Sequence, residues 1–126
     1  MIVGRADVEA AFERIVDRVR RTPVMEVELE GFRLVLKLEL LQLSGSFKTR
    51  GAFNRVLSAP SIPPAGLVAA SGGNHGIAVA EVARRLNITA EIFVPEVTAE
   101  AKRARIAATG ARLVVGGAYY ADAVEA

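Results

Sequence analysis

One lysine stands out in the stretch Ser44-Gly45-Ser46-Phe47-Lys48-Thr49-Arg50-Gly51. Lys48 falls in the first turn of a predicted helix, at the positive end of the helix dipole. An ammonium there is disfavoured by a few tenths to about 1 kcal/mol. Arg50, two residues on, adds like charge. An amine placed so is a candidate nucleophile or base. The same residues also describe an ordinary helix start with a solvated lysine. A second stretch, Ser71-Gly72-Gly73-Asn74-His75-Gly76, follows a short apolar run and opens another helix. Backbone N–H groups at such a helix start, approachable because Gly72 and Gly73 lack side chains, make a site for a carboxylate or phosphate. The alternative is a tight turn in which Asn74 caps the helix and His75 is merely a polar residue near its start. The spacing matches neither G-x-G-x-x-G nor G-x-x-x-x-G-K-[ST], so no nucleotide fingerprint is present.

The elements that must position these stretches can be read from periodicity. Asp7 is a candidate N-cap for a helix carrying Val8, Phe12, Ile15, Val16 and Val19, ended by Thr22-Pro23. Met25, Val27 and Leu29 alternate with glutamates; after Gly31 the pattern resumes with Phe32, Leu34, Leu36 and Leu38, predicting a half-buried hairpin. Ser46 is a candidate cap for a helix with Ala52, Phe53, Val56 and Leu57 on one side. The proline-bearing segment Ser58–Gly66 reads as a surface connection into a second lobe. Strands are expected at Leu67–Ala70, Ile88–Val94 and Leu113–Val115. Helices are expected at Asn74–Leu86, from Thr98 (with Ala101, Ala104, Ala107 and Ala108 as its packing side) to Gly110, and from Tyr119 to Ala126. Strand–helix alternation of this kind calls for a parallel sheet, hence an α/β fold. Three parallel strands make a small sheet with open edges, so the chain is expected to be the front part of a longer protein or to be completed by another chain.

Composition narrows the function classes. The 126 residues are 52% hydrophobic and 24% charged, an ordinary globular balance. Sixteen bases face fourteen acids, interleaved without a basic tract, which argues against a nucleic-acid partner. Absence of cysteine removes disulfides, thiolate metal sites and thiol catalysis, and one histidine cannot build a multi-histidine metal site, so no metal is expected. The apolar runs are too short for a membrane helix and no signal peptide is readable at the N-terminus; a cytoplasmic location is the default expectation.

Together the two stretches are far more specific than either alone. Lys48 in Ser-Phe-Lys-x-Arg-Gly-Ala, with Ser-Gly-Gly-Asn-His-Gly downstream, resembles the serine/threonine dehydratase and serine racemase family, pyridoxal-phosphate enzymes of fold type II (tryptophan synthase β-like). Arg21-Thr22-Pro23, Lys37-Leu38-Glu39, Val94-Pro95-Glu96 and Gly110-Ala111 extend the likeness over nearly the whole chain. The resemblance implies pyridoxal 5'-phosphate as cofactor, held by Lys48 as a Schiff base, with Lys48 then moving the substrate's α-proton. Phe47 would pack beside the cofactor and Asn74 would hydrogen-bond its phenolic oxygen. Ser71, Gly72, Gly73, Asn74 and His75 would grip the amino-acid substrate. It further implies a partial fold, with residues 1–57 in a larger cofactor domain, residues 58–126 in a smaller parallel βαβ lobe, and a homodimer for the full-length form. The phosphate cradle, the partner of the ring nitrogen and any cation ligands would lie beyond Ala126. The implied reaction is β-elimination of L-threonine or L-serine to a 2-oxo acid and ammonia. Thr49 stands where the cysteine synthase and threonine synthase branches usually carry Asp, and Gly72 where serine racemases carry a second serine. Racemisation, β-replacement and an inactive fragment are the alternatives.

Overall fold

The computed structural model describes residues 2–118. Helix α1 (Arg5–Ile15) is capped at Gly4, and Asp7 sits one turn in, where its carboxylate accepts from the Gly4 N–H at 2.8 Å. The expected Asp7 cap is thus displaced by three residues: a carboxylate in the first turn can reach back to the exposed donor that precedes it. Ile15 is the buried residue of α1; Val8, Phe12 and Val16 are exposed, and the helix ends at Ile15 rather than at Thr22.

Strands β1 (Val24–Leu29) and β2 (Phe32–Lys37) pair antiparallel, with Met25 opposite Leu36, Val27 opposite Leu34 and Leu29 opposite Phe32. Glu30 and Gly31 both have positive φ, 49° and 80°, the signature of a two-residue type I′ turn. The sequence periodicity therefore gives the right register, but the apolar face is not half-buried. Met25 is 46% and Phe32 71% exposed, because the described elements leave that face largely uncovered.

A short 3-10 turn (Glu39–Leu41) leads into α2 (Lys48–Leu57). The parallel sheet follows as β3 (Leu67–Ala70), α3 (Asn74–Leu86), β4 (Ala90–Val94), α4 (Glu100–Ala107) and β5 (Arg112–Val115), in the order β3-β4-β5. Asn87, in the left-handed region at φ 55°, ends α3. Ala99 rather than Thr98 precedes α4 as its cap residue. The alanines of α4 do not form its packing side: Ala101, Ala104, Ala107 and Ala108 are exposed and Ile106 alone in the helix is buried, since one large side chain fills the space against the sheet. The helix expected from Tyr119 to Ala126 lies outside the described residues.

Two apolar clusters hold the arrangement. Ala69, Ile77, Ala80, Ile92, Val94 and Ile106 fill the space between sheet and helices. Ile15, Ala52, Phe53, Ala78 and Val82 join α1 and α2 to α3. This second cluster crosses the expected boundary at residue 58 and sets the start of α2 in a fixed relation to α3. Each buried large aliphatic or aromatic side chain contributes about 1.5–3 kcal/mol.

Candidate active site

Residues 44–50 form a braced turn. Thr49 is fully buried; its hydroxyl donates to Ser46 O at 3.1 Å, and accepts from the Ser44 N–H at 3.2 Å and from the Ser44 hydroxyl at 2.6 Å. Thr49 therefore closes the turn, whereas the expected Ser46 cap does not form. Phe47 is the N-cap residue, without a side-chain bond, and Ser46 Oγ is buried with no partner among the described residues. Arg105 of α4 donates to Ser44 O at 3.1 Å, so α4 also holds this turn. Lys48 opens α2 with an exposed side chain, its Nζ 5.1 Å from the centre of the Phe47 ring.

Arg50 is not a free like charge beside Lys48. Its guanidinium makes a two-pronged pair with Glu39, Nε to Oε2 at 2.8 Å and Nη2 to Oε1 at 2.7 Å. Thr22 donates to the same carboxylate at 2.5 Å, and Lys37 Nζ stands 3.7 Å from it. The Arg50 bond above all, against the opposing effect of burial and aided by Thr22 and Lys37, holds the Glu39 carboxyl at about 2 instead of its ordinary 4.5. A depressed folded-state pKa gives stability that is present above the unfolded value and lost as pH falls through the folded one. Wild type should therefore be more stable than Glu39→Gln at pH 6, and the gap should shrink as pH falls from 4.5 towards 2. Thermal melts of both proteins across this range measure it; a gap independent of pH would mean that Glu39 ionisation contributes nothing.

The second stretch sits where β3 ends. Ser71 N–H donates to Phe93 O at 2.9 Å, continuing the ladder one residue past the strand, and Ser71 Oγ accepts from the Gly73 N–H at 3.2 Å. Gly73 is the cap residue of α3, without a side-chain cap bond, so Asn74 is the first helical residue and not the cap. Asn74 and His75 are both exposed. A Cβ on Gly72 would overlap Thr98 Oγ1, and one on Gly76 would overlap Ser71 O.

Lys48 and His75 line one cavity of about 500 Å³, between α2, the 59–66 connection, β3 and the first turns of α3. Arg55 lines it too, and among the described residues no carboxylate does. Ser71, Gly72, Gly73 and Asn74 adjoin it through His75 but do not line it. A basic, half-open cavity with a primary amine at its wall suits an anionic small molecule. The features that sequence reading missed are contacts between separate segments: Glu39 with Arg50, Ser44 with Thr49, and Gly72 with Thr98.

The family model described as pyridoxal-phosphate dependent enzyme matches residues 15–126. The chain belongs to the pyridoxal-phosphate dependent enzyme family. It is 42% identical over 120 residues to the serine racemase of Bos taurus, covering 89% of this chain and 36% of that protein. It is 40% identical over 121 residues to a putative threonine dehydratase of Sinorhizobium fredii, covering 92% of this chain and 36% of that protein. The solved T.th. threonine deaminase superposes with a TM-score of 0.85 at 38% identity, over 98% of this chain and 40% of that one. The chain thus spans little more than a third of the curated relatives it matches, and its fold is the N-terminal portion of a pyridoxal-phosphate fold type II enzyme. Its residues fit the family's cofactor: an accessible amine at the wall of a cavity of suitable size, with no carboxylate among the described residues that line it. Among the described residues no helix is long and apolar enough to cross a membrane.

Proposed function

We propose that the full-length protein carries out β-elimination on L-threonine or L-serine, releasing a 2-oxo acid and ammonia. The single observation that carries this is the cavity shared by Lys48 and the first turn of α3, basic and free of carboxylates among the described residues. Bound there, pyridoxal phosphate supplies an aldehyde and an electron sink for the substrate's α-carbon. Lys48 Nζ would hold the cofactor, and as a free amine it would accept the α-proton. Phe47 packs beside the cofactor, and Asn74, at the head of α3, serves its phenolic oxygen. The Ser71 hydroxyl and the backbone of Gly72, Gly73 and His75 hold the substrate carboxylate, where the α3 dipole favours an anion. Residues 1–57 belong to a larger cofactor lobe and residues 58–126 to a smaller one, and the full-length form is a cytoplasmic homodimer.

Serine racemases among the relatives, at 42% identity, favour a second reading, racemisation at the same site. Elimination leads because Gly72 carries no hydroxyl of its own to return a proton on the face opposite Lys48, and the neighbouring Thr98 hydroxyl is assigned to binding. The test adds pyridoxal phosphate to the full-length protein, fixes it with borohydride and maps the label. Label on Lys48 and 2-oxo acid from L-threonine or L-serine are expected. D-serine as the dominant product would establish the second reading, and no label on Lys48 would overturn both.

A further inference from the structure

Gly72 does not have the positive φ that favours glycine, so its backbone would accept any side chain. What excludes one is Thr98. A Cβ built on Gly72 would overlap Thr98 Oγ1, lie 2.7 Å from Cγ2 and 3.1 Å from Cβ. Any other staggered position of the threonine would still leave one of its two heavy branches against that Cβ, so the crowding cannot be relieved by a rotamer change alone. Nor is the threonine free to withdraw. Its N–H donates to Pro95 O at 3.0 Å, Glu96 N–H donates to Gly117 O at 2.9 Å, and the Arg103 guanidinium binds Glu96 O. These bonds fix the turn that carries it. Thr98 is not used as a helix cap either, since Ala99 takes that position in α4.

Ser71–Gly73 and Pro95–Thr98 follow neighbouring parallel strands, β3 and β4, paired so that Ala70 stands beside Phe93. Both segments therefore leave the carboxyl end of the sheet, where open α/β sheets place ligands. We propose that Thr98 is a specificity-determining residue of the amino-acid site. Its side chain fills the place of a residue-72 side chain and brings a hydroxyl to the loop from the adjacent strand connection. The proposal rests on the amino-acid reading above and deepens it: glycine at position 72 is a consequence of Thr98, and the substrate meets the Thr98 hydroxyl there.

The full-length protein tests this with Thr98→Val, Thr98→Ala, Gly72→Ser and the double variant Gly72→Ser/Thr98→Ala. Gly72→Ser alone should lower the melting temperature by about 4 °C or more, as overpacking does. In the Thr98→Ala background the same change should cost less than about a third of that. Thr98→Val keeps the shape and removes the hydroxyl; KM for the amino acid should rise about tenfold with kcat within about twofold, the loss of one hydrogen bond in binding. An equal loss in both backgrounds overturns the steric half, and an unchanged KM in Thr98→Val overturns the binding half. Wild type that takes no borohydride label on Lys48 would sink the parent reading instead, while the melting-temperature cycle would still decide the steric half.

Discussion

Lys48→Ala in the full-length protein is expected to abolish borohydride labelling by pyridoxal phosphate and to lower kcat/KM by at least about a thousandfold, the upper part of the range for losing a group that transfers a proton. The structure says the loss should be chemical and not conformational. The Lys48 side chain is exposed, and its contact with Phe47 is a surface cation–π pair worth about 0.5–1 kcal/mol. Bracing of the turn falls to Thr49, Ser44, Arg105, and the Arg50–Glu39 pair, none of which depends on the lysine. The melting temperature of the apoprotein should therefore stay within about 2 °C of wild type. Lys48→Arg supplies the sharper contrast. It keeps positive charge at the cavity wall but carries no group that can deprotonate, so it should be as inactive as alanine. Activity retained by either variant would mean that another group holds the cofactor.

Comparison of expectation with structure shows which kinds of information a one-dimensional pattern carries. The α/β class, the hairpin register and the strand Leu67–Ala70 follow from periodicity, because local backbone geometry sets which residues share a face. The Lys48 turn and the Ser71–Gly76 loop stood out only as a pair, through their likeness to a known family, since each alone also describes an ordinary helix start. Burial was less legible. The hairpin alternates as a half-buried pair would, yet its apolar face is exposed among the described residues, because alternation encodes a need for cover and not who provides it. Helix ends failed by a few residues for a related reason: Asp7 and Thr98 are good cap residues by type, but Gly4 and Ala99 hold the cap positions once neighbouring contacts are formed. Pairings such as Glu39 with Arg50 and Gly72 with Thr98 join segments 11 and 26 residues apart. No local rule connects them, and they appear only when the chain has folded.

Gly76→Ala should be among the most damaging additions of a single methyl group. Gly76 is buried in the first turn of α3, with the chain of Ser71 crossing directly over it. A Cβ there would overlap the Ser71 carbonyl oxygen, lie 3.0 Å from its carbon and 3.2 Å from Ile92 Cγ2. Neither neighbour can yield. Ser71 is tied through its N–H to Phe93 O at 2.9 Å, and Ile92 is fully buried at the centre of the sheet cluster. Relief requires α3 to lift from the end of β3, which would pull its N-terminal donors away from the Ser71–Gly73 loop proposed to hold the substrate carboxylate. The expected cost is at or above the top of the about 1–3 kcal/mol range for overpacking, because the obstacle is backbone. Gly51→Ala gives the opposite result for the same chemical change. Gly51 is an exposed helical residue with nothing within 4 Å of a built Cβ, so alanine there should stabilise by about 0.5–1 kcal/mol through helix propensity alone. Denaturant unfolding of the two variants in the full-length protein measures the contrast. Surviving Gly76→Ala protein should also show a KM for the amino acid raised by more than about tenfold, as a displaced helix start would require. Equal stabilities for the two variants would mean that the close approach of α3 to the end of β3 does not set the geometry of the Ser71–Gly73 loop.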